Sequence, residues 1–306
     1  YKLELRMLKK FIVNKDYHNS RFDKWFKQNI YDVPQSLLEK LTRKKQIRIN
    51  KKKIKTSYRV QFNDIVELYL SENLKSNIKS KKDKYKPSEK EKDEYGKFII
   101  ENNDNFIVIN KPSGIPVQSG TKSFKNIIDI LKDTKYFEDT KPYIVHRLDK
   151  ETSGVMIIAK NREYAQLFTS LFRIRKIHKT YLAITYGAVK KEIKVLKDNL
   201  VTYEKKKKII QKALSHLRIL KSNDQYSFLE LKPITGRKHQ IRKQLYNIGN
   251  PIVGDDKYSL NEINKRYRVK NIMLHAYKIK FMINDIKYNF EAKYGEEFDQ
   301  LIRRQF

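Results

Sequence analysis

Residues 146–154 read His-Arg-Leu-Asp-Lys-Glu-Thr-Ser-Gly and bring acid, base and hydroxyl side chains into one short loop. They lead directly into the apolar stretch 155–159, which is typical of a buried strand. Buried polar groups need partners, so a dense polar loop at the start of such a strand indicates a functional site. Asp149 is the candidate catalytic carboxylate. Taken alone, an aspartate in a turn is more often a capping residue, and both roles stay open at this point.

A second polar cluster, Thr-Gly-Arg-Lys-His-Gln-Ile-Arg at 235–242, lies where a strand pattern changes into a helix pattern. Backbone N–H groups at the start of a helix, together with arginine side chains, can form an anion site. Arg242 lies one turn into this helix, where it can pair with a carboxylate. An ordinary helix start with a solvated basic face is the alternative, and the sequence leaves both interpretations open.

The chain lacks the residues that several classes of chemistry require. The chain has no cysteine, its six histidines show no metal-binding spacing, and no phosphate-binding loop occurs, so we predict no metal site. No apolar run approaches the ~18–20 residues that span a bilayer, and no secretory signal pattern is present. These features predict a soluble protein of the cytoplasm or of an organellar matrix. Met7 opens an apolar stretch, which suggests that residues 1–6 are an upstream extension or a processing remnant.

The charge balance points to a polyanionic partner. The 306 residues include 68 Lys and Arg against 35 Asp and Glu, a formal net charge of +33. Neutralising phosphates releases counterions, so this excess favours nucleic acid. A compositional bias toward Lys, Ile, Asn and Tyr is the alternative; it explains the excess of Lys over Arg but not the shortage of acids.

Four regions are expected: an N-terminal extension at 1–17, a small α/β module at 18–70, a polar linker at 71–96 and a catalytic domain at 97–306. The module has two helix patterns followed by alternating strand patterns, and residues 40–59 contain no acid. A basic run is usually a solvated face, but here it lies on one compact unit and favours an RNA-facing surface. The candidate RNA-binding residues there are Arg43, Lys44, Lys45, Arg48, Lys51 and Lys52.

The larger region mixes strand and helix patterns. Residues 106–109, 155–159, 179–186, 212–220 and 226–232 are predicted as strands, residues 239–248 as a short helix, and 272–290 as a closing hairpin around Asn284 and Asp285. This mixture predicts an α+β domain around a mixed, largely antiparallel sheet.

The motif at 146–154 resembles the catalytic motif of the RluA-type pseudouridine synthases, and further matches follow in the family's order. They are Asn-Lys-Pro-Ser-Gly at 110–114, Lys179-x-Tyr181-x-Ala183, residues 232–242, residues 249–255 and Leu-His-Ala at 274–276. The resemblance covers roughly 97–304. Residues 18–70 resemble the RNA-binding domain typified by ribosomal protein S-four, although Asn63 stands where that domain usually has glycine.

The resemblance implies an isomerase that converts uridine to pseudouridine in large-subunit ribosomal RNA without a metal or cofactor. It implies that Asp149 acts at the ribose as a nucleophile or a base, and that Arg242 pairs with Asp149. It also implies that Arg147 fills the space of the flipped uridine, that Tyr181 stacks on the uracil and that Leu274 walls the pocket. His146 and Arg237 are further candidate RNA contacts. The enzyme is expected to be a monomer with no obligate protein partner.

Three alternatives stay open. The closest alternative is the same reaction on tRNA, because only the N-terminal module favours ribosomal RNA over tRNA. A non-catalytic RNA-binding protein of ribosome assembly would have lost Asp149, Tyr181 or Arg242 first, and all three are present. A sugar hydrolase normally needs two carboxylates, and no second acid stands out in these loops.

Overall fold

The computed structural model describes residues 7–31, 33–70, 85–118, 125–137, 140–204, 207–259 and 269–306. The chain divides into two compact units, residues 1–84 and residues 85–306. None of the described helices is long and apolar enough to cross a membrane. Residues 1–6, interpreted above as an extension or remnant, lie outside the described part.

The first unit is a small sheet with two helices. Its strands are β1 (Met7–Ile12), β2 (Ser20–Arg21), β3 (Ile47–Ile49), β4 (Lys52–Lys53), β5 (Arg59–Val60) and β6 (Ile65–Leu70), and its helices are α1 (Phe22–Asn29) and α2 (Gln35–Arg43), with a short 3-10 helix at Lys15–Tyr17. The main sheet has the order β1-β6-β3-β4. Phe22, Trp25 and Phe26 of α1 and Leu38 of α2 are buried in its core.

Two boundaries differ from the sequence prediction. Residues 7–12 are not part of an extension: β1 pairs with β6 along its whole length, because its backbone groups need the hydrogen bonds that β6 offers. The linker predicted at 71–96 is too long, since Glu89–Gly96 forms a helix capped by Ser88 and Glu91. The remainder of that linker, 71–84, lies outside the described residues.

The second unit is built around one long sheet. Its strands are β7 (Ile99–Asn102), β8 (Phe106–Lys111), β9 (Tyr143–Ile144), β10 (Ser153–Ala159), β11 (His178–Tyr186), β12 (Val195–Glu204), β13 (Lys207–Ser222), β14 (Tyr226–Pro233), β15 (Leu274–Ile283) and β16 (Ile286–Glu291). Its helices are α3 (Glu89–Gly96), α4 (Ile127–Leu131), α5 (Arg162–Arg173), α6 (Gln240–Asn247) and α7 (Glu296–Gln305), with a 3-10 helix at Lys135–Phe137.

The strand order is β12-β13-β14-β11-β15-β10-β8-β7, with β16 beside β15 and β9 beside β10. The pair β10–β15 is parallel and the other described pairs are antiparallel, so the predicted α+β class with a largely antiparallel sheet is confirmed. The predicted closing hairpin turns at Asn284 and Asp285, which both adopt positive φ, the backbone that a two-residue hairpin loop requires.

The parallel pair brings two functional loops together. Gly154 lies opposite Ala276, and a Cβ at this glycine would fall 2.2 Å from the Ala276 carbonyl oxygen. Its φ of +114° is also a conformation that other residues rarely adopt. The glycine therefore lets β10 approach β15 closely, and this places the loop before β10 beside Leu274 at the start of β15.

Candidate active site

A cavity of about 1200 Å³ in the second unit is lined by both polar clusters and by the strands between them. Every site residue that the sequence predicted in this unit lines this cavity, namely Asp149, Tyr181, Arg242, Arg147, His146, Arg237 and Leu274. Leu274 is buried and lines the cavity. Arg147 is exposed at the cavity and Arg237 is half-buried there.

Asp149 faces two cationic or potentially cationic groups. Its Oδ2 lies 3.9 Å from Nη1 of Arg242, and its Oδ1 lies 3.7 Å from Nε2 of His239. The carboxylate side chain is 23% exposed, so it is open to a substrate in the cavity. Its backbone carbonyl accepts from Thr152 N–H in a turn, while the carboxylate is turned toward the cavity. The arrangement is that of an accessible carboxylate beside a fixed positive charge.

Arg242 is held by a different acid. Its Nε and Nη2 donate to the two oxygens of Asp255, both at 2.7 Å, and the Asp255 side chain is fully buried. Asp255 also accepts from the backbone N–H groups of Lys257 and Tyr258. The pairing of Arg242 with Asp149 is thus present as a longer ion pair, while the bidentate bond to Asp255 sets the position of the guanidinium.

Two carboxylates that the sequence interpretation did not recognise lie at this site. Besides Asp255, Glu151 lies 3.5 Å from Nη1 of Arg242 and its side chain is 50% exposed. The expectation that no second acid stands in these loops is therefore wrong. Asp255 belongs to the motif at 249–255, but no spacing rule ties it to Arg242, because the contact forms only when two loops meet.

His239 connects the carboxylate to Tyr258. It precedes the first residue of α6 and lies in the left-handed region, at φ 53° and ψ 33°, a strained backbone for a residue with a side chain. Its Nδ1 shares a hydrogen bond with the Tyr258 hydroxyl at 3.0 Å, and the Tyr258 ring packs under the Arg242 guanidinium. Burial lowers the pKa of His239 and the charge of Arg242 lowers it further, while Asp149 opposes this.

The loop before α6 is fixed by Gln240. Its amide oxygen accepts from Thr235 Oγ1 and from Arg237 N–H, and its amide nitrogen donates to Leu214 O and Ser215 Oγ. The side-chain amide thereby ties the loop to β13. Because Arg237 N–H is already bonded to Gln240, it is not available to the anion site considered from the sequence.

Tyr181 is a protonated phenol in this cavity. Burial raises the pKa of Tyr181 well above its usual value, and the nearby Asp149 charge raises it further. Lys179, two residues earlier on β11, also lines the cavity, and burial lowers its pKa. The site thus combines the Asp149 carboxylate with a hydroxyl that can donate a hydrogen bond.

The turn at 110–114 supports the Asp149 loop. Lys111 is fully buried, and its ammonium donates to the carbonyls of Pro112, Ile115 and Lys150 at 2.8, 2.9 and 3.2 Å. Burial lowers the pKa of Lys111 to about 7, against the opposing charges of Glu151 and Asp149. The loop that carries Asp149 is therefore bonded to the turn after β8.

His146 lies at the cavity wall as a neutral ring. Its Nε2 accepts from Ile157 N–H at 2.9 Å and its ring packs 4.7 Å from that of Phe172. Burial lowers the pKa of His146 to about 3, with a further lowering by Lys179. A ring in this state cannot act as a cation toward phosphate, so the geometry supports an anchoring role for His146 in the loop before β10.

His275 is a second neutral histidine behind the site. Its Nε2 donates to Ala292 O at 2.8 Å, and its Nδ1 accepts from Ser153 Oγ at 2.9 Å. Burial lowers the pKa of His275 to about 4, although the bond to Ala292 raises it somewhat. The imidazole thus joins the starts of β10 and β15 only while it is uncharged.

We expect the free energy of unfolding to fall as the pH is lowered from about 6.5 toward 4. In this window the unfolded chain binds a proton at His275 and the folded chain does not, so this histidine alone contributes a loss of about 1.4 kcal/mol per pH unit. Urea unfolding measured across these pH values should show a smaller slope for His275→Gln. His216→Gln, at an exposed histidine, should keep the slope; equal slopes in all three proteins would contradict the assignment.

In the first unit, the predicted RNA-binding residues lie between the end of α2 and β4. Arg43, Lys44, Lys45, Lys51 and Lys52 are exposed, and Arg48 is half-buried with its guanidinium 5.2 Å from the Tyr69 ring. The Asp64 carboxylate fixes the turn between β3 and β4, since it accepts hydrogen bonds from Asn50 and from Tyr58. Asn63 adopts φ 66°, so the turn before Asp64 keeps a glycine-like backbone.

No group of three or more His, Cys, Asp or Glu side chains in the described ranges is arranged to hold a metal ion. The residues that sequence reasoning missed at the site are Asp255, Glu151, His239, Tyr258 and Lys179. His239 and Lys179 stand inside recognised motifs without an assigned role. Tyr258 lies outside every motif, and no sequence signal points to it.

Proteins of known family resemble this chain over most of its length. The family model described as RNA pseudouridylate synthase matches residues 105–247. Ribosomal large subunit pseudouridine synthase C of Rickettsia felis is 35% identical over 279 residues, 85% of this chain and 88% of its own. The Vibrio parahaemolyticus protein of the same name is 28% identical over 91% of this chain and 90% of its own.

A solved structure, human RNA pseudouridylate synthase domain containing 4, matches with a TM-score of 0.59 and 27% identity over 70% of this chain and 94% of its own. The motif resemblance is thereby confirmed for the catalytic region, whereas the likeness of residues 18–70 to ribosomal protein S-four stays a prediction. On the strength of relatives as similar as the Rickettsia felis enzyme, the chain belongs to the RNA pseudouridylate synthase family of isomerases.

Proposed function

We propose that this chain converts uridine to pseudouridine in large-subunit ribosomal RNA and that Asp149 is its catalytic carboxylate. The observation that carries the proposal is the accessible Asp149 between Arg242 and His239, in a cavity that Tyr181 also lines. The choice of RNA follows the relatives, which are ribosomal large subunit pseudouridine synthases.

The reaction balances without an added reactant. The C1′–N1 bond of the uridine breaks, the uracil turns, and a C1′–C5 bond forms; the proton on C5 leaves and N1 gains one. Positive charge develops at C1′ during cleavage, and an ionised carboxylate beside it stabilises that charge, as in glycoside hydrolysis. Asp149 serves this role either as a nucleophile at C1′ or as a base at the ribose.

The remaining residues position the nucleotide. The uridine must leave its stack, which costs a few kcal/mol. Arg147, exposed at the cavity, fills the vacated space, while the Tyr181 ring stacks on the uracil and its protonated hydroxyl assists proton movement at C5. Arg242 orients Asp149, and Leu274 provides the apolar wall.

The alternatives are weaker on this geometry. A non-catalytic RNA-binding protein has no use for a carboxylate set between Arg242 and His239 in a large cavity. Glu151 supplies a second exposed carboxylate beside Arg242, but a sugar hydrolase is disfavoured because the relatives are pseudouridine synthases. The same reaction on tRNA differs only in substrate, and mapping the modified positions separates the two.

Pseudouridine should be mapped by position in large-subunit ribosomal RNA and in tRNA from cells that lack this protein. We expect one or more ribosomal sites to lose the modification, the wild-type chain to restore them and Asp149→Asn to leave them unmodified. Loss of pseudouridine from tRNA alone would identify tRNA as the substrate. Full restoration by Asp149→Asn would refute the role of Asp149.

The first unit is proposed to bind the same RNA through its basic surface. Lys51→Gln with Lys52→Gln should weaken RNA binding and reduce the slope of log K against log salt by about 0.7 for each phosphate that is no longer neutralised. Lys10→Gln with Lys24→Gln changes two exposed lysines elsewhere on this unit and should leave the slope unchanged. Equal slopes in both double variants would contradict the proposal. The protein is further proposed to act as a monomer in the cytoplasm or an organellar matrix.

A further inference from the structure

A second cavity, of about 400 Å³, adjoins the active-site cavity in the same unit. The two share part of their lining, namely Arg175, Ile177, Lys179, Pro233 and Ile234. These residues lie just before and on β11 and in the segment that ends β14. Tyr181 lies on the active-site face of β11, whereas His178 and Thr180 lie on the other face, so the two cavities meet around the ends of these strands.

Basic side chains from four neighbouring strands line this second cavity. On β13 and β14, His216 lies opposite Lys232, and on β11 and β15, His178 lies opposite Lys280. The strand order β13-β14-β11-β15 and a strand spacing of about 4.8 Å separate the two pairs by roughly 10 Å. The sheet thus presents two groups of basic side chains side by side.

The positive charge of this surface is only partly neutralised. Glu230 forms ion pairs of 3.1 Å with both Arg218 and Lys232, and Glu291 binds Lys278. Among the described residues, Arg175, Lys179 and Lys280 make no ion pair with a carboxylate. A cavity with this excess of cations attracts a polyanion.

The cavity also offers an aromatic surface. Tyr277 lines it, and the tyrosine hydroxyl donates to Glu291 at 2.6 Å, which fixes the ring. A basic groove that combines cations with a fixed aromatic ring is the pattern by which proteins bind single-stranded nucleic acid.

We propose that the second cavity binds the single-stranded RNA that continues from the target uridine on one side, with phosphates at Lys232 and Lys280 and a base against Tyr277. The inference rests on the proposed function, since it takes RNA as the substrate of the adjoining cavity. Charge complementarity and continuity with the active-site cavity are the grounds for choosing RNA over a protein partner.

The test compares Lys232→Gln/Lys280→Gln with Lys221→Gln/Lys287→Gln in the full chain. The control pair removes the same charge from exposed strand lysines that line neither cavity. The probes are labelled RNAs with one central uridine: a short one, and others extended by adenosines on one side or on both. Binding is measured by fluorescence anisotropy at several salt concentrations.

We expect the wild type and the control to bind more tightly when the RNA is extended on one particular side. The Lys232/Lys280 variant should lose roughly fivefold to tenfold in affinity for that extended RNA, with a salt slope lower by about 0.7 per phosphate left unpaired, and bind the short RNA normally. Its KM for the extended RNA should rise by a similar factor while kcat stays unchanged.

Equal affinities and salt slopes of the two double variants on every RNA would overturn the inference. The inference would also be overturned if the Lys232/Lys280 variant lost binding of inorganic phosphate while RNA binding showed no dependence on RNA length. That result would assign the cavity to small anions. Binding does not require turnover: a wild type that shows the length dependence but forms no pseudouridine would refute the proposed function and leave this inference supported.

Discussion

Asp149→Asn is expected to lower kcat for pseudouridine formation by about 10⁴-fold, because the neutral amide neither attacks C1′ nor stabilises positive charge there. The fold should be nearly unaffected. Asp149 is partly exposed and its ion pair with Arg242 is long, at 3.9 Å, so the free energy of unfolding should change by less than about 1 kcal/mol. Chromatographic separation of nucleosides from reacted RNA gives the rate.

Glu151→Gln is the matched control for this substitution. Glu151 lies in the same loop, faces the same arginine and loses its charge by the same acid-to-amide change, but its side chain is 50% exposed. We expect its kcat to stay within a few-fold of wild type. A rate for Asp149→Asn within tenfold of that of Glu151→Gln would show that the carboxylate of Asp149 does not carry the reaction.

Asp255→Asn is expected to destabilise the fold by about 3 kcal/mol and to lower kcat by about 10²-fold. The buried carboxylate balances the charge of Arg242 and holds both Nε and Nη2 at 2.7 Å. An asparagine can accept only one of these bonds and leaves the guanidinium charge without its buried partner. Arg242 then loses the position from which it orients Asp149.

Asp256→Asn tests whether the effect belongs to the buried pair. Asp256 is the next residue and is exposed, so its substitution should change the free energy of unfolding by less than about 0.5 kcal/mol. Adding Arg242→Met to Asp255→Asn should cause little further loss of stability, because the two side chains act as one pair. Additive losses would contradict this coupling.

The candidate site residues could be chosen from the sequence because they stand in ordered motifs. Asp149, Tyr181, Arg242 and Leu274 all line one cavity, although they come from distant parts of the chain. The strands were predicted from apolar and alternating patterns, and these patterns follow from burial on the sheet faces. The first strand, Met7–Ile12, was missed because its edge position leaves its side chains partly exposed and its pattern weak.

The sequence by itself determined the enzyme family, the α+β class and the choice of Asp149 as the candidate carboxylate, because these depend on residue types at fixed local spacings. Only the tertiary structure decided that Asp255 holds Arg242 and that His146 and His275 stay uncharged. It also placed the basic cavity of Lys232 and Lys280 beside the site. These properties arise from burial and from contacts between residues far apart in the chain, and burial determines both which charge needs a partner and which proton is lost.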